Sequence, residues 1–103
     1  MKINTREDLL RFLSEHRNDI RAFKVNKLGL FGSFVRDEQS AESDIDLIVE
    51  YEEGFKTIDN FLGLIDFLEE NSGRTVELLT PESINQYLKP HIEKEVEYVN
   101  ILP

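Results

Sequence analysis

One predicted strand, Asp44 to Tyr51, constrains the fold of this chain more than any other stretch. The side-chain period of an extended chain is two, so the residues of this strand divide between two faces. One face carries Ile45, Leu47, Val49 and Tyr51, and the other carries Asp44, Asp46, Ile48 and Glu50. The first face is apolar throughout and is predicted to point into the core. Asp44 and Asp46 then stand side by side on the other face, with Cα atoms about 6.5 Å apart.

These two aspartates are candidate metal ligands. Two carboxylates this close repel each other unless a cation or a shared proton compensates their charge. Hard oxygen ligands of this kind suit Mg²⁺ and also Mn²⁺, and Mg²⁺ usually completes its shell with the phosphates of a substrate.

A Gly-Ser pair, Gly32-Ser33, ends the predicted strand Val25 to Phe31 and lies ten residues before Asp44. Glycine lets a backbone approach a bulky anion, and the N–H groups that open the next turn would point at that anion. Neither Gly-Ser nor Asp-x-Asp is specific alone, but together they predict a phosphate site beside a metal site. Arg36, shortly after the turn, either contacts a phosphate or holds the turn in place by pairing with an acid.

Apolar periodicity elsewhere predicts helices and a third strand. The first predicted element is a helix from Thr5 to Arg17, followed by a short helical turn. A second helix is capped by Thr57 and closed by Gly73, and a strand from Arg74 to Leu79 follows it. Another helix starts at Thr80-Pro81-Glu82, with Ile84, Tyr87 and Leu88 as its apolar side, and a final helix extends from Ile92 to Val99. Lys89-Pro90 is expected to break the chain direction. In the helix capped by Thr57, the apolar stripe that we expect to face the core is Ile58, Phe61, Leu62, Ile65 and Leu68, and Leu64 and Phe67 widen it.

Length and composition predict one globular domain over residues 1–103. The net charge of −9 disfavours a protein that works on nucleic acid, because phosphate contacts require Lys and Arg, and it fits a protein that docks on a basic partner. There is no cysteine, and neither the first residues nor the apolar stretch Phe61 to Leu68 has the pattern of a signal peptide or membrane span. We therefore expect a cytoplasmic protein without direct contacts to nucleic acid or membrane.

With Gly32-Ser33, a spacer of ten residues and Asp44-Ile45-Asp46, the chain resembles the minimal nucleotidyltransferases, a family with the polymerase-β-like fold. The resemblance implies an α+β fold in which a small mixed sheet of about three strands packs against helices. It places the third metal-binding carboxylate of the family at Glu77, on the third strand. Many relatives have glycine where this chain has Asp37, and aspartate tolerates the same turn conformations.

The resemblance also implies an activity, the transfer of a nucleoside monophosphate, AMP from ATP in the first place, to a hydroxyl group. Asp44, Asp46 and Glu77 would be the catalytic carboxylates and would hold Mg²⁺ or Mn²⁺. Gly32 and Ser33, with Arg36 nearby, would bind the phosphates of the nucleoside triphosphate.

The acceptor is expected to be another protein, because the chain has no obvious acceptor domain. Minimal nucleotidyltransferases are commonly antitoxins of small helical HEPN toxin ribonucleases, and some add AMP to a tyrosine of the toxin. The alternative is an antitoxin without catalysis, which neutralises its toxin by steric binding. The intact Gly-Ser and Asp-x-Asp pairs favour catalysis.

Overall fold

The computed structural model describes residues 2–101, which form both helices and strands. The elements are α1 (Arg6–Glu15), α2 (Arg17–Ala22), β1 (Val25–Phe31), β2 (Ile45–Tyr51), α3 (Ile58–Ser72), β3 (Val76–Leu79), a short 3-10 helix (Pro81–Ser83), α4 (Lys89–Glu95) and β4 (Glu97–Val99). Within this described range, every helix is too short or too polar to cross a bilayer.

The strands form one mixed sheet with the order β3-β2-β1-β4. β1 pairs antiparallel with both β2 and β4, whereas β2 and β3 are parallel, as expected when a helix, here α3, connects them. The α+β fold is therefore confirmed, with four strands instead of about three.

The helix starts predicted at Thr5 and Thr57 are confirmed. The Thr5 hydroxyl accepts a hydrogen bond from the Asp8 N–H (3.0 Å), and the Thr57 hydroxyl accepts one from the Asn60 N–H (3.1 Å). α3 ends at Gly73, whose φ of +73° is a left-handed conformation that suits glycine. α1 stops at Glu15, two residues earlier than predicted.

The main core lies on one face of the sheet, beneath α1 and α3. The residues buried there include Leu9, Leu13, Leu28, Leu30, Ile45, Leu47, Val49, Leu64 and Leu68. The predicted apolar face of β2 is therefore confirmed. The predicted stripe on α3 is partly wrong, because Ile58 and Leu62 are exposed, whereas Leu64 and Leu68 are buried as predicted. The apolar residues of α3 form a broad face that includes Ile58 and Leu62, so the sequence did not determine which part of this face packs on the sheet.

A second, smaller cluster covers the opposite face of the sheet, at the end of β1. Phe31, Ile48 and Ile92 are buried together, and Leu79, Ile84 and Val96 pack against them. The C-terminal segment thus covers part of the face that also carries Asp46.

This C-terminal segment differs from its prediction in two places. The predicted helix Ile92 to Val99 is wrong, because α4 ends at Glu95 and residues 97–99 form β4, an edge strand on β1. Apolar residues spaced as in a helix also suit a short strand, and the deciding backbone bonds come from β1, far away in sequence.

The helix predicted to start at Thr80-Pro81-Glu82 is limited to the 3-10 turn at 81–83, which leaves Tyr87 and Leu88 exposed. Lys89-Pro90 does not break the chain but opens α4, since proline is tolerated in the first turn of a helix.

Candidate active site

Asp46 and Glu77 lie opposite each other on the parallel strands β2 and β3. The Asp46 side chain is half-buried and hydrogen-bonded to Glu77. Burial, this hydrogen bond and the negative charges of Glu77 and Asp44 raise the pKa of Asp46 to about 7. At neutral pH, the surrounding groups therefore do not fully compensate the negative charge of the Asp46–Glu77 pair.

Asp44 stands apart from this pair. It precedes β2, is exposed, and is close enough that its charge contributes to the raised pKa of Asp46. Within residues 2–101, no three acidic, histidine or cysteine side chains converge tightly enough to form a ready-made metal cage. The structure thus brings two of the three predicted carboxylates together and leaves the third at the rim.

Gly32 packs directly against Asp46. It follows Phe31, which is the register partner of Asp46 on β1, and has a φ of +82°. A Cβ built at Gly32 would lie 2.1 Å from Oδ2 of Asp46, so no other residue fits without a shift. The predicted phosphate turn and the predicted carboxylate pair are therefore in contact.

The turn after Gly32 holds its own backbone by local hydrogen bonds. The N–H groups of Val35 and Arg36 donate to the Gly32 carbonyl (3.1 and 3.3 Å), and the Glu38 N–H donates to the Ser33 carbonyl (2.9 Å). The N–H groups of Ser33 and Phe34 donate none of these bonds, which is the arrangement of a helix-like first turn that can bind an anion. Asp37 has a φ of +57°, a left-handed conformation that aspartate tolerates better than most residues other than glycine.

Arg36 is held by two acids. Its Nε donates to Glu38 (2.9 Å), and its Nη1 donates to both carboxylate oxygens of Glu95 on α4 (2.9 and 3.1 Å). These pairs raise the pKa of Arg36, and its positive charge slightly lowers the pKa of Asp46. Of the two roles predicted for Arg36, the structure thus displays the pairing with acids.

Glu95 is the residue near this site that sequence reasoning missed. It belongs to the run Glu93, Glu95 and Glu97, which looks like a solvated helical face. In the structure the Glu95 side chain is mostly buried and paired with Arg36, while Glu97 pairs with Arg6. No local signal reveals a partner that lies 59 residues away in sequence.

The donor set fits a hard divalent cation such as Mg²⁺. Asp46 and Glu77 supply oxygen atoms whose negative charge Arg36 compensates only in part, and Asp44 lies within electrostatic reach. Gly32 leaves the space beside Asp46 free of a side chain, so the phosphates of a nucleotide could approach both the turn and the ion.

Comparisons with known proteins found similar sequences over most of the chain. The family of nucleotidyltransferase domains matches residues 10–99. "Putative protein adenylyltransferase MJ1379" of Methanocaldococcus jannaschii is 38% identical over 100 residues, which are 94% of this chain and all of the relative. "Protein adenylyltransferase MntA" of Thermococcus cleftensis is 33% identical over 100 residues, 96% of this chain and all of the relative.

Two solved structures share the fold. A structure described as a minimal nucleotidyltransferase superposes with a TM-score of 0.75 at 27% identity, over 91% of this chain and 95% of the other. A toxin–antitoxin crystallised with AMP-PNP superposes with a TM-score of 0.60 at 24% identity, over 80% of this chain and 70% of the other.

Proposed function

Because this chain belongs to the nucleotidyltransferase family, we propose that it transfers the AMP group of ATP to a hydroxyl group of a partner protein. The chain is a nucleotidyltransferase by its family, and the proposal concerns the donor, the acceptor and the residues that act. Two relatives that match nearly the whole chain are named protein adenylyltransferases. Their names support AMP as the transferred group and a protein as the acceptor.

The observation that carries the assignment of the site is the contact between Gly32 and Asp46. It places the backbone turn suited to phosphates against the carboxylate pair Asp46–Glu77. A triphosphate bound at the turn would therefore have its reacting phosphorus next to acidic side chains, which is the arrangement that this transfer needs.

In the proposed reaction, the acceptor oxygen attacks the α-phosphorus of ATP. The bond from this phosphorus to the oxygen that bridges to the β-phosphorus breaks, and pyrophosphate leaves with the electron pair. The proton of the acceptor hydroxyl goes to Glu77, which is exposed and faces Asp46. Gly32 and Ser33 bind the β- and γ-phosphates. Bound Mg²⁺ or Mn²⁺ would neutralise charge on the triphosphate, and Asp44, Asp46 and Glu77 are the residues that would hold it.

The partner that we propose is a helical HEPN-type toxin ribonuclease, with a tyrosine as the acceptor and the cytoplasm as the location. The family resemblance carries this finer part of the proposal. The net charge of −9 supports a basic protein partner and disfavours nucleic acid.

A transfer assay with ATP labelled at the α-phosphate tests the proposal. We would incubate the protein, Mg²⁺ and the product of the neighbouring reading frame, and expect label on that partner together with released pyrophosphate. Asp46→Asn should abolish labelling, while Glu15→Gln, at the exposed end of α1, should not. If the partner stays unlabelled and the Asp46→Asn variant neutralises it as well as the wild type does, the protein is instead an antitoxin that acts by steric binding.

A further inference from the structure

An exposed apolar surface lies at the start of α3. Phe55, Ile58 and Leu62 are 42%, 75% and 53% exposed, although aliphatic and aromatic residues of this size are usually buried. Ile58 and Leu62 border a groove of about 300 Å³ that also includes Phe61 and Thr80, and Phe55 immediately precedes Lys56, another residue of this groove. We call these residues the α3 apolar surface. Clustered exposed apolar residues of this kind mark interaction sites more often than isolated ones do.

The loop that carries Phe55 is held in place. The Phe55 N–H donates to the Glu52 carbonyl (2.9 Å), and the Asn60 side-chain amide donates to the Phe55 carbonyl (2.8 Å). Thr57 caps α3 directly after it. The surface is therefore preformed, which lowers the entropic cost of binding a partner.

Negative charge surrounds the α3 apolar surface. A neighbouring pocket of about 170 Å³ is lined by Glu50, Glu52, Glu53 and Glu82, together with Lys56. Lys56 also borders the apolar groove, and its charge is already paired with Glu82 (3.0 Å). Nearby, Lys24 lies over the Phe55 ring, with its Nζ 5.1 Å from the ring centre. On α3 itself, the exposed charged residues next to the groove are Asp59 and Asp66.

The surface lies at the far end of the sheet from the candidate active site. Asp46 is near the start of β2, and the α3 apolar surface follows the end of β2 at Tyr51. Five residues of extended strand separate these two ends by about 16 Å. A partner docked on α3 would therefore leave the Gly32 turn open to ATP.

We propose that the α3 apolar surface docks a basic amphipathic helix of the partner protein. Apolar side chains of that helix fill the groove, and its Lys or Arg residues face the acidic pocket. A second copy of this chain does not fit, because each copy would bring the same net charge of −9. Nucleic acid and anionic membranes are disfavoured by the same charge. The inference rests on the proposed function in one respect, that the acceptor is a protein.

Peptide binding to the ¹⁵N-labelled full-length protein tests this proposal without ATP. The probe is a synthetic peptide of about 18 residues, long enough to be helical, with Leu on one face and Lys or Arg on the other. We expect the peptide to shift amide signals around residues 55–62. A matched peptide with Glu in place of Lys and Arg should not bind.

Leu62→Asp separates apolar docking from simple charge attraction. The variant adds a negative charge, so attraction by charge alone would strengthen binding of the basic peptide. Docking in the groove predicts at least tenfold weaker binding instead. Tyr98→Asp places the same charge at an exposed aromatic on β4, on the opposite edge of the sheet, and should bind as the wild type does. Equal or tighter binding by Leu62→Asp would overturn the proposal.

Two further measurements keep the outcomes distinct. Ile58→Ala, a milder change at an exposed position, should weaken peptide binding severalfold with unchanged amide signals elsewhere, which excludes misfolding. If the wild type forms dimers in sedimentation experiments and Leu62→Asp is monomeric, the surface binds a second copy of this chain. That result would overturn the proposal of a basic partner helix. Transfer activity without peptide docking would reject this surface alone, whereas docking without any transfer would reject the proposed function alone.

Discussion

Gly32 and Asp46 are so close that a methyl group on Gly32 would lie 2.1 Å from Oδ2 of Asp46. This contact joins the end of β1 to the start of β2, on the sheet face where Glu77 lies opposite Asp46. Position 32 requires glycine for two reasons, the lack of space for a side chain and the φ of +82°. The candidate phosphate turn and the candidate metal ligands are therefore one structural unit.

Gly32→Ala should abolish transfer and lower stability by about 1–3 kcal/mol, because it adds both a clash and backbone strain. Gly54→Ala is the matched control, since Gly54 has a similar φ of +85° but nothing within 4 Å of the added methyl group. The control should show the strain alone and keep its activity. Melting temperature and labelled-nucleotide transfer measure the two effects. Full activity in Gly32→Ala would refute the contact.

The stability of the metal-free protein should fall as the pH rises from about 4 to about 7. The pKa of Asp46 is about 7 in the folded state, against 3.8 for an ordinary aspartate, so in this window the folded state binds more protons than the unfolded state. Asp46→Asn should remove this dependence and be more stable than the wild type at pH 8 in EDTA. Urea unfolding of both proteins across this pH range is the measurement, and parallel curves would show that Asp46 is not responsible.

Mg²⁺ with ATP should stabilise the fold, by about 2.7 kcal/mol when the free ligand is at a hundred times its dissociation constant. Protons and the cation compete for the same carboxylates, so equal total Mg²⁺ should stabilise more at pH 8 than at pH 5.5. The comparison of melting temperatures should include ATP with EDTA as a control. An unchanged melting temperature at saturating Mg²⁺ and ATP would contradict the site.

Glu77→Gln should leave nucleotide affinity within about tenfold of the wild type and reduce transfer by about a hundredfold or more. The change keeps the size of the side chain and removes the charge that accepts the proton. Glu15→Gln, the same change at the exposed end of α1, should alter neither quantity. Calorimetric ATP binding and single-turnover transfer would be measured on all three proteins. Wild-type transfer by Glu77→Gln would make Glu77 an ordinary acid at a strand edge.

Arg36→Ala should weaken ATP binding severalfold, whereas Glu95→Gln should leave it unchanged or strengthen it. Glu95 and a bound phosphate would compete for the same guanidinium group, so removing the charge of Glu95 frees Arg36. The ATP affinities of the two variants and of the double variant decide the role. If both single variants have lower melting temperatures but unchanged ATP affinity, the role of Arg36 is purely structural and consists of holding the turn.

The local elements were largely predictable from the sequence. β1 has its predicted bounds, and α3 has its predicted cap and end, because threonine caps, a C-terminal glycine and a two-residue alternation act over a few residues. The alternation in β2 also identified the core-facing side. Val76 and Leu78 are buried and Glu77 between them is exposed, as the same alternation predicts.

The sequence by itself thus determined the spacing of Gly32-Ser33 from Asp44 and Asp46, and the face of β2 that carries the aspartates. Only the tertiary structure decided that residues 97–99 add a fourth strand, that Glu95 binds Arg36, and that Ile58 and Leu62 stay outside. The physical reason is the range of the interactions. Turns, caps and alternation are set by near neighbours in the chain. Strand pairing, long-range ion pairs and the buried part of a broad apolar helix face depend on partners that only the folded chain brings near.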